Sequence, residues 1–347
     1  MDQYLDQINQ SLEKILPRKF TKESLEAVIG KTNYDLDQGA INKAINEPIW
    51  DLLDRGGKRW RPKLFLTIID LFGKDPDEYV DLASVFELIH NGSLVIDDIE
   101  DLSKSRRSKK TVHLLYGQDI AINAGNMIYF LPLKVLDQYR IDSAIKVKVY
   151  QTYIDEIIKL HLGQGTDIVW HRGLVDSFNI TENQYLQMCA FKTGGLSRML
   201  SRIAAIVGGA DDKLVKAIGK LGESLGVVFQ IQDDILNITE NDLSAGKGIG
   251  DDITEGKISL PVILSFKNLP KQKSQRLNEI LLLHTTDKRL IAEAINLIKI
   301  GQGIEKAQII MKKLFEVAWS ELEPLLTRGE KKDKLLRLTK FLIDRQI

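Results

Sequence analysis

The sequence predicts an all-α protein, a large single-domain helical bundle. Apolar residues recur at helical spacing along most of the chain, alternating strand patterns are scarce, and no repeat of solenoid length is present. With 347 residues, 44% of them hydrophobic, the chain can bury a sizeable core. Residues 1–45 read as an N-terminal helical extension packed on the same domain, and 46–347 as the main domain.

In chain order, the extension carries short amphipathic patterns broken at Pro17, with Thr21 and Ser24 spaced as a helix start. Gly56-Gly-Lys-Arg-Trp-Arg-Pro62 is a cation-rich turn, and Pro62 suits the first turn of an apolar helix ending near Phe72. From Val80 to about Glu100, Leu82, Val85, Leu88, Ile89 and Val95 keep a helical period, with Gly92 and Ser93 small within it. The stretch 111–140 reads as helix kinked at Pro132, and 142–171 as a long helix weakened by Gly163 and Gly165. Thr181 and Gln184 form a capping box for a helix that must break at Thr193-Gly-Gly195. Asp211–Asn237 is a further helix, Asp242–Gly250 a glycine-rich loop, and Lys257–Phe266 with the remaining chain alternate helices and polar turns.

Lys plus Arg and Asp plus Glu balance at 48 each, so no global field draws in nucleic acid and any anion site must be local. Cys189 is the only cysteine, which excludes a disulfide framework and reads as a small buried side chain in a reducing compartment. No apolar run reaches membrane-spanning length and the first residues lack a signal-peptide pattern, so a cytoplasmic protein is expected.

Chemistry concentrates in two places. Asp97, Asp98 and Asp101 end an apolar run and are followed by Arg106, Arg107, Lys109 and Lys110; Asp233, Asp234 and Asn237 repeat the spacing. Carboxylates at i and i+4 share a helix face and repel one another, which suits a shared polyvalent cation. Mg²⁺ takes a few carboxylates together with waters and phosphate oxygens. Arg106, Lys192, Lys247 and Lys257 would complete a cage around one diphosphate, leaving Lys58, Arg61 and Arg107 for a second anion. A cage of this kind lowers the barrier to carbon–oxygen cleavage when the cation left behind is allylic. One such aspartate cluster alone would more often be a solvated helix end; His90 and His161 alone would be ordinary packed histidines, and Tyr129 and Phe130 ordinary core aromatics.

The ordered set Gly-Gly-Lys-Arg-x-Arg-Pro, Asp-Asp-x-x-Asp with Arg-Arg, Lys-Thr-Gly-Gly, Phe-Gln-Ile-x-Asp-Asp and Asp-x-Thr-Glu-Gly-Lys resembles the trans-isoprenyl diphosphate synthase family from about Gly56 to Pro261. Asn237, where many members carry Asp, is similar to the eukaryotic-type geranylgeranyl diphosphate synthases, as are Asn126–Phe130 and His161–Ile168. The resemblance implies the isoprenoid synthase fold, with aspartate motifs across a deep central cavity, three Mg²⁺ ions and a homodimer. It implies head-to-tail condensation of isopentenyl diphosphate with dimethylallyl, geranyl or farnesyl diphosphate to a C20 product. Lys58, Arg61, His90 and Arg107 would take isopentenyl diphosphate; Arg106, Lys192, Thr193, Gln230, Lys247 and Lys257 the allylic diphosphate. Asp97, Asp98, Asp101 and Asp233 would ligate metal, with Asp234 and Asn237 supporting.

Product length would follow tunnel depth. Ser93 and Gly92 lie about one turn below Asp97, and the resemblance places the floor deeper, at Tyr129, Phe130 and His161. A longer- or shorter-chain synthase and a non-catalytic partner subunit are the alternatives. A terpene cyclase shares the aspartate motif but needs no second anion site.

Overall fold

The computed structural model describes residues 4–239 and 250–343; Lys247 and most of the glycine-rich loop lie outside them. The described elements are helical except for one antiparallel hairpin, β1 (Ser105–Arg106) with β2 (Lys109–Lys110). The chain divides into two compact units, Met1–Tyr150 with Ala204–Gly209, and Gln151–Ile203 with Ala210–Ile347.

The first unit contains α1 (Leu5–Ile15), α2 (Lys22–Ile29), α3 (Gln38–Ile41), α4 (Glu47–Asp54), α5 (Trp60–Leu71), α6 (Val80–Glu100), the hairpin, α7 (Val112–Tyr116), α8 (Gln118–Gln138) and the opening turns of α9 (Ser143–His171). Its axis is α6, against which α1, α5 and α8 pack. A Cβ at Gly92 would stand 2.9 Å from Ile128, and one at Gly125 2.8 Å from Ile96. These glycines let α6 and α8 cross closely, antiparallel, with the Tyr79 and Tyr139 rings meeting 5.9 Å apart toward the other end. Phe65 and Phe86 add a ring pair at 5.3 Å, each fully buried and contributing roughly 2–3 kcal/mol.

The second unit holds the rest of α9, then α10 (Glu182–Lys192), most of α11 (Gly194–Gly208), α12 (Asp212–Thr239), α13 (Asp251–Thr254), α14 (Leu260–Asn268), α15 (Lys271–Leu282), α16 (Lys288–Ile300), α17 (Gly303–Leu322) and α18 (Glu330–Ile343). Its core gathers around Tyr185, Cys189, Ile231, Leu260, Leu277 and Ile298, and Cys189 is a free, fully buried thiol.

Most boundaries follow local chemistry. Both capping boxes form, Thr21 with Ser24 and Thr181 with Gln184, each contributing about 1 kcal/mol. The break before Gly194 falls where the glycines predict it. The stretch 111–140 is two helices rather than one, because Gly117 sits at φ +102°, outside helical space. In contrast, α8 continues through Pro132. Among the described residues no helix is long and apolar enough to cross a membrane.

Candidate active site

In the first unit the chemistry gathers at the C-terminal end of α6. Arg59 adopts left-handed backbone (φ +47°) and its buried guanidinium donates to Glu87 at 2.7 Å and to Leu53 O at 3.1 Å. Glu87 also accepts from Asn91 at 3.0 Å. This buried pair fastens the Gly56–Arg61 turn to α6.

The turn carries Arg61, whose guanidinium lies over the Trp60 ring, 4.6 Å from its centroid. No carboxylate pairs with it among the described residues, and its buried Nε has no hydrogen-bond partner there. Burial, with Arg107 beside it, pulls Arg61 down to about 10 despite Glu87. Arg107 (φ +52°) turns into the same region and donates to Leu52 O, Gly56 O and Asn91 Oδ1. Gly57 leaves room for it, since a Cβ there would stand 3.3 Å from Arg107 Nη2. Burial pushes His90 well below its ordinary value, and Arg61 and Arg107 push further, so the ring is neutral at physiological pH. Lys58 is exposed on the same turn. Cations crowded with too few acids are what a bound anion would complete.

Asp98 is fully buried and Asp97 and Asp101 partly so. Arg106 holds Asp98 Oδ1 through Nε at 2.9 Å and Nη2 at 2.6 Å, and approaches Asp97 at 3.5 Å. Burial raises the Asp98 pKa against the pull of Arg106. Its other oxygen, Oδ2, is buried without a hydrogen-bond partner among the described residues. A hard cation would satisfy such an oxygen, and the all-oxygen donor set suits Mg²⁺. Among the described residues no three His, Cys, Asp or Glu side chains are grouped as ligands for one ion. Mg²⁺ needs no such group, because it keeps waters and takes substrate phosphate oxygens beside one or two carboxylates.

The second unit has its own set. Asp233 is exposed on α12, whereas Asp234 is buried and spent inward. Asp234 accepts from Tyr185 at 2.5 Å, from Gln230 Nε2 at 3.0 Å and from Leu260 N at 3.4 Å. Burial nevertheless raises it to about 6. Gln230 in turn accepts from Thr193 at 2.8 Å, so Thr193, Gln230, Asp234 and Tyr185 form one hydrogen-bonded chain. Asn237 accepts from Asp252 N at 3.1 Å, capping α13.

Lys192 closes α10 and donates to Asp167 of α9 at 2.5 Å. Burial would raise Asp167, but Lys192 and Lys257 hold it below the ordinary carboxylate range, which places both ammonium groups near it. Lys257 also pairs with Glu255 at 2.5 Å. Glycines set this geometry: a Cβ at Gly163 would stand 2.8 Å from Phe191 Cβ, and one at Gly226 2.6 Å from Gly194 Cα. Helices α9 and α12 therefore approach the α10–α11 break more closely than any side chain would allow.

The expected chain-length residues differ in setting. Ser93 is half-buried, its hydroxyl donating to His90 O at 2.8 Å. Gly92 is not open, since Ile128 and the Gly125 carbonyl fill the space a side chain would take. Tyr129 is buried, and the α6–α8 register sets it level with about residue 91, only about 9 Å along α6 from Asp97. Phe130 is 68% exposed and packs into no part of its unit's interior. His161 is exposed on α9, with Nδ1 2.9 Å from Ile157 O. Arg59, Glu87, Tyr185 and Asp167 were not singled out from sequence. Arg59 and Asp167 stood only inside longer motif stretches, and Glu87 left a trace as a lone acid in the apolar run of α6.

Comparison with known proteins agrees with this geometry. The polyprenyl synthetase family model matches residues 42–298. A short chain isoprenyl diphosphate synthase of Methanothermobacter thermautotrophicus is 30% identical over 85% of this chain and 88% of its own. A geranylgeranyl pyrophosphate synthase of Metarhizium anisopliae is 36% identical over 75% of each. The crystal structure of geranylgeranyl pyrophosphate synthetase from Pyrococcus horikoshii superposes with a TM-score of 0.80 at 29% identity, covering 99% of both chains. On these matches the chain belongs to the polyprenyl synthetase family and is a prenyl-transferring enzyme.

Proposed function

We propose that this enzyme condenses isopentenyl diphosphate head to tail with allylic diphosphates, in the presence of Mg²⁺, to make geranylgeranyl diphosphate. The observation that carries the condensation is Arg61, a guanidinium on Trp60 beside Arg107 with no acid on it among the described residues. An aspartate-and-metal site for one diphosphate does not need this second cationic pocket, and a condensing enzyme does. The names of the relatives from Metarhizium and Pyrococcus support the C20 product.

In this reading Asp97, Asp98, Asp101 and Asp233 hold Mg²⁺, in three ions, with Asp234 and Asn237 shaping the second cluster. Bound there, the metal neutralises charge on the departing diphosphate. Arg106, Lys192, Thr193, Gln230, Lys247 and Lys257 orient the allylic diphosphate and stabilise its negative charge as the carbon–oxygen bond opens. Lys58, Arg61, His90 and Arg107 hold isopentenyl diphosphate so that its double bond reaches the allylic carbon. A proton is then lost to the released diphosphate, and no protein base is assigned.

Incubating the purified enzyme with Mg²⁺, isopentenyl diphosphate and each allylic primer, then separating products, tests activity, primer and length together. No elongation with any primer would sink the proposal. Ser93→Phe should shorten the product and Phe130→Ala lengthen it; an unchanged C20 product in both would remove these residues from the tunnel. We further propose a homodimer. Ile154, Ile158 and Leu162 leave an apolar stripe exposed on α9, and Leu114, Leu115, Ile122 and Phe130 are exposed on α7 and α8. Light scattering of the wild type and Ile158→Glu tests this, a monomeric wild type being the contrary result. A cytoplasmic location fits a chain with a single, buried cysteine, and cell fractionation checks it.

A further inference from the structure

The break that presents Lys192 and Thr193 is gripped by a buried charge cluster that the reaction scheme leaves unused. Glu156, on the buried face of α9 and 1% exposed, accepts from Arg198 Nε at 2.9 Å on each oxygen. It also takes Arg202 at 3.1 Å and Lys159 at 3.2 Å. Arg198 lies just past the break, in α11, and its Nη1 reaches back to Ala190 O of α10 at 3.3 Å and also to Glu223 of α12. One guanidinium is thereby tied to both sides of the break and to the two helices packed around it. Only a planar fork can serve that many acceptors in fixed directions.

Stability alone is a weak reason for this arrangement, because well-packed apolar residues in place of a buried ion cluster are often as stable or more so. The cluster instead fixes directions. On the same face of α9, Gly163 admits the backbone at Lys192 and Asp167 takes its ammonium. Glu156, Gly163 and Asp167 are spaced at i, i+7 and i+11, so one helix face meets the break at three points.

We infer that Arg198 and Glu156 are positioning residues for the allylic diphosphate: they set the angle at which α10 gives way to α11, and with it the placement of Lys192 Nζ and Thr193 Oγ1. The inference rests on the reading of Lys192 and Thr193 as ligands of that diphosphate.

Two-substrate kinetics with farnesyl and isopentenyl diphosphates, alongside melting temperatures, test it on Arg198→Lys, Arg198→Met and Glu156→Gln, with Lys192→Ala as reference. The expected result for Arg198→Lys and Glu156→Gln is a fall of about tenfold or more in kcat or a rise of that size in the allylic KM, with the isopentenyl diphosphate KM within about twofold. Arg198→Lys should regain part of what Arg198→Met loses. If Lys192→Ala disturbs the allylic side while folded Arg198→Lys and Glu156→Gln do not, the inference is overturned and the reading of Lys192 stands. If Lys192→Ala leaves the allylic side untouched, that reading falls and takes the inference with it. Equal losses for both substrates, tracking the melting temperature, would reduce the cluster to a structural role. Should the buried variants not fold, Glu223→Gln, at the 34% exposed edge, decides by the same split on a smaller scale.

Discussion

The two aspartate clusters share a spacing but not an environment. In the first, the middle carboxylate, Asp98, is buried against a cation, Arg106, and one of its oxygens has no hydrogen-bond partner among the described residues. In the second, the middle carboxylate, Asp234, is buried among neutral donors from Tyr185, Gln230 and Leu260, and its proton affinity rises to about 6. A charge partner and a set of dipoles both permit burial, but only the first can be exchanged for a metal without losing charge balance. One spacing therefore covers two environments: Asp98 is held by a guanidinium, whereas Asp234 accepts from Gln230, whose own amide oxygen accepts from Thr193.

The largest expected effect tests whether the outer aspartates are nevertheless equivalent. Asp97→Ala and Asp233→Ala should each lower kcat by about a thousandfold or more, with little change in melting temperature, since on the proposed reading both remove a carboxylate that holds metal, and neither side chain is part of the buried core. Steady-state rates across a Mg²⁺ titration measure this, and a large loss at only one position would break the symmetry. Next in size, Arg61→Met should raise the isopentenyl diphosphate KM by about tenfold or more while leaving melting temperature unchanged or higher, because it removes a half-buried cation that pairs with no carboxylate among the described residues. A lowered melting temperature with unchanged KM would show that Arg61 is structural.

Tyr185→Phe sharpens the contrast at the second cluster. It removes one donor to Asp234 and should cost about 1–2 kcal/mol in urea unfolding. Asn237→Asp should be nearly silent, within about threefold in kcat, because a carboxylate oxygen can accept the Asp252 N–H that the amide now takes. A dead variant would assign the amide nitrogen a role.

The smallest effect is one of pH. His90 is held well below its ordinary value by burial and by Arg61 and Arg107, with Arg106 and Arg59 acting in the same direction. Above about pH 6.5 both folded and unfolded states carry a neutral ring; below it the unfolded chain binds a proton that the folded one refuses. Stability attributable to His90 is therefore present above that pH and lost as pH falls, at up to about 1.4 kcal/mol per unit. His90→Asn should flatten the acid side of a melting-temperature profile, and an unchanged slope would count against a buried neutral ring.

How much of this was legible in advance depended on the range of the interaction. Capping boxes, the break at Gly194 and the long helices α6, α9 and α12 follow from residues a few positions apart. Even so, Gly117 divided a stretch whose apolar period ran through it. The hairpin was invisible because Arg107 and Ser108 take left-handed conformations with no glycine or asparagine to announce them. The aspartate motifs and cations could be named from their order, and the resemblance set Asp234 apart as supporting, but not the partners that bury it, Tyr185 and Leu260 N. Arg59 with Glu87, Tyr185 with Asp234, and Asp167 with Lys192 join residues 25 to 49 positions apart, and no local pattern encodes such pairs. That Gly92 also lets α6 cross α8 depends on Ile128 and Gly125, more than thirty residues away.

Gly163 sets helix propensity and clearance in opposition. By propensity alone, replacing it with alanine should strengthen α9 by about 1 kcal/mol. The methyl group would nonetheless land against Phe191 and the backbone at Lys192, pushing away the turn that presents the ammonium. Gly163→Ala is thus expected to read as an active-site lesion in an assay and as a conservative change on paper. A variant catalogue scored by helix preference or by distance to the substrate would misfile it. At this position the tolerated alphabet has one letter, and what limits it is a neighbouring helix.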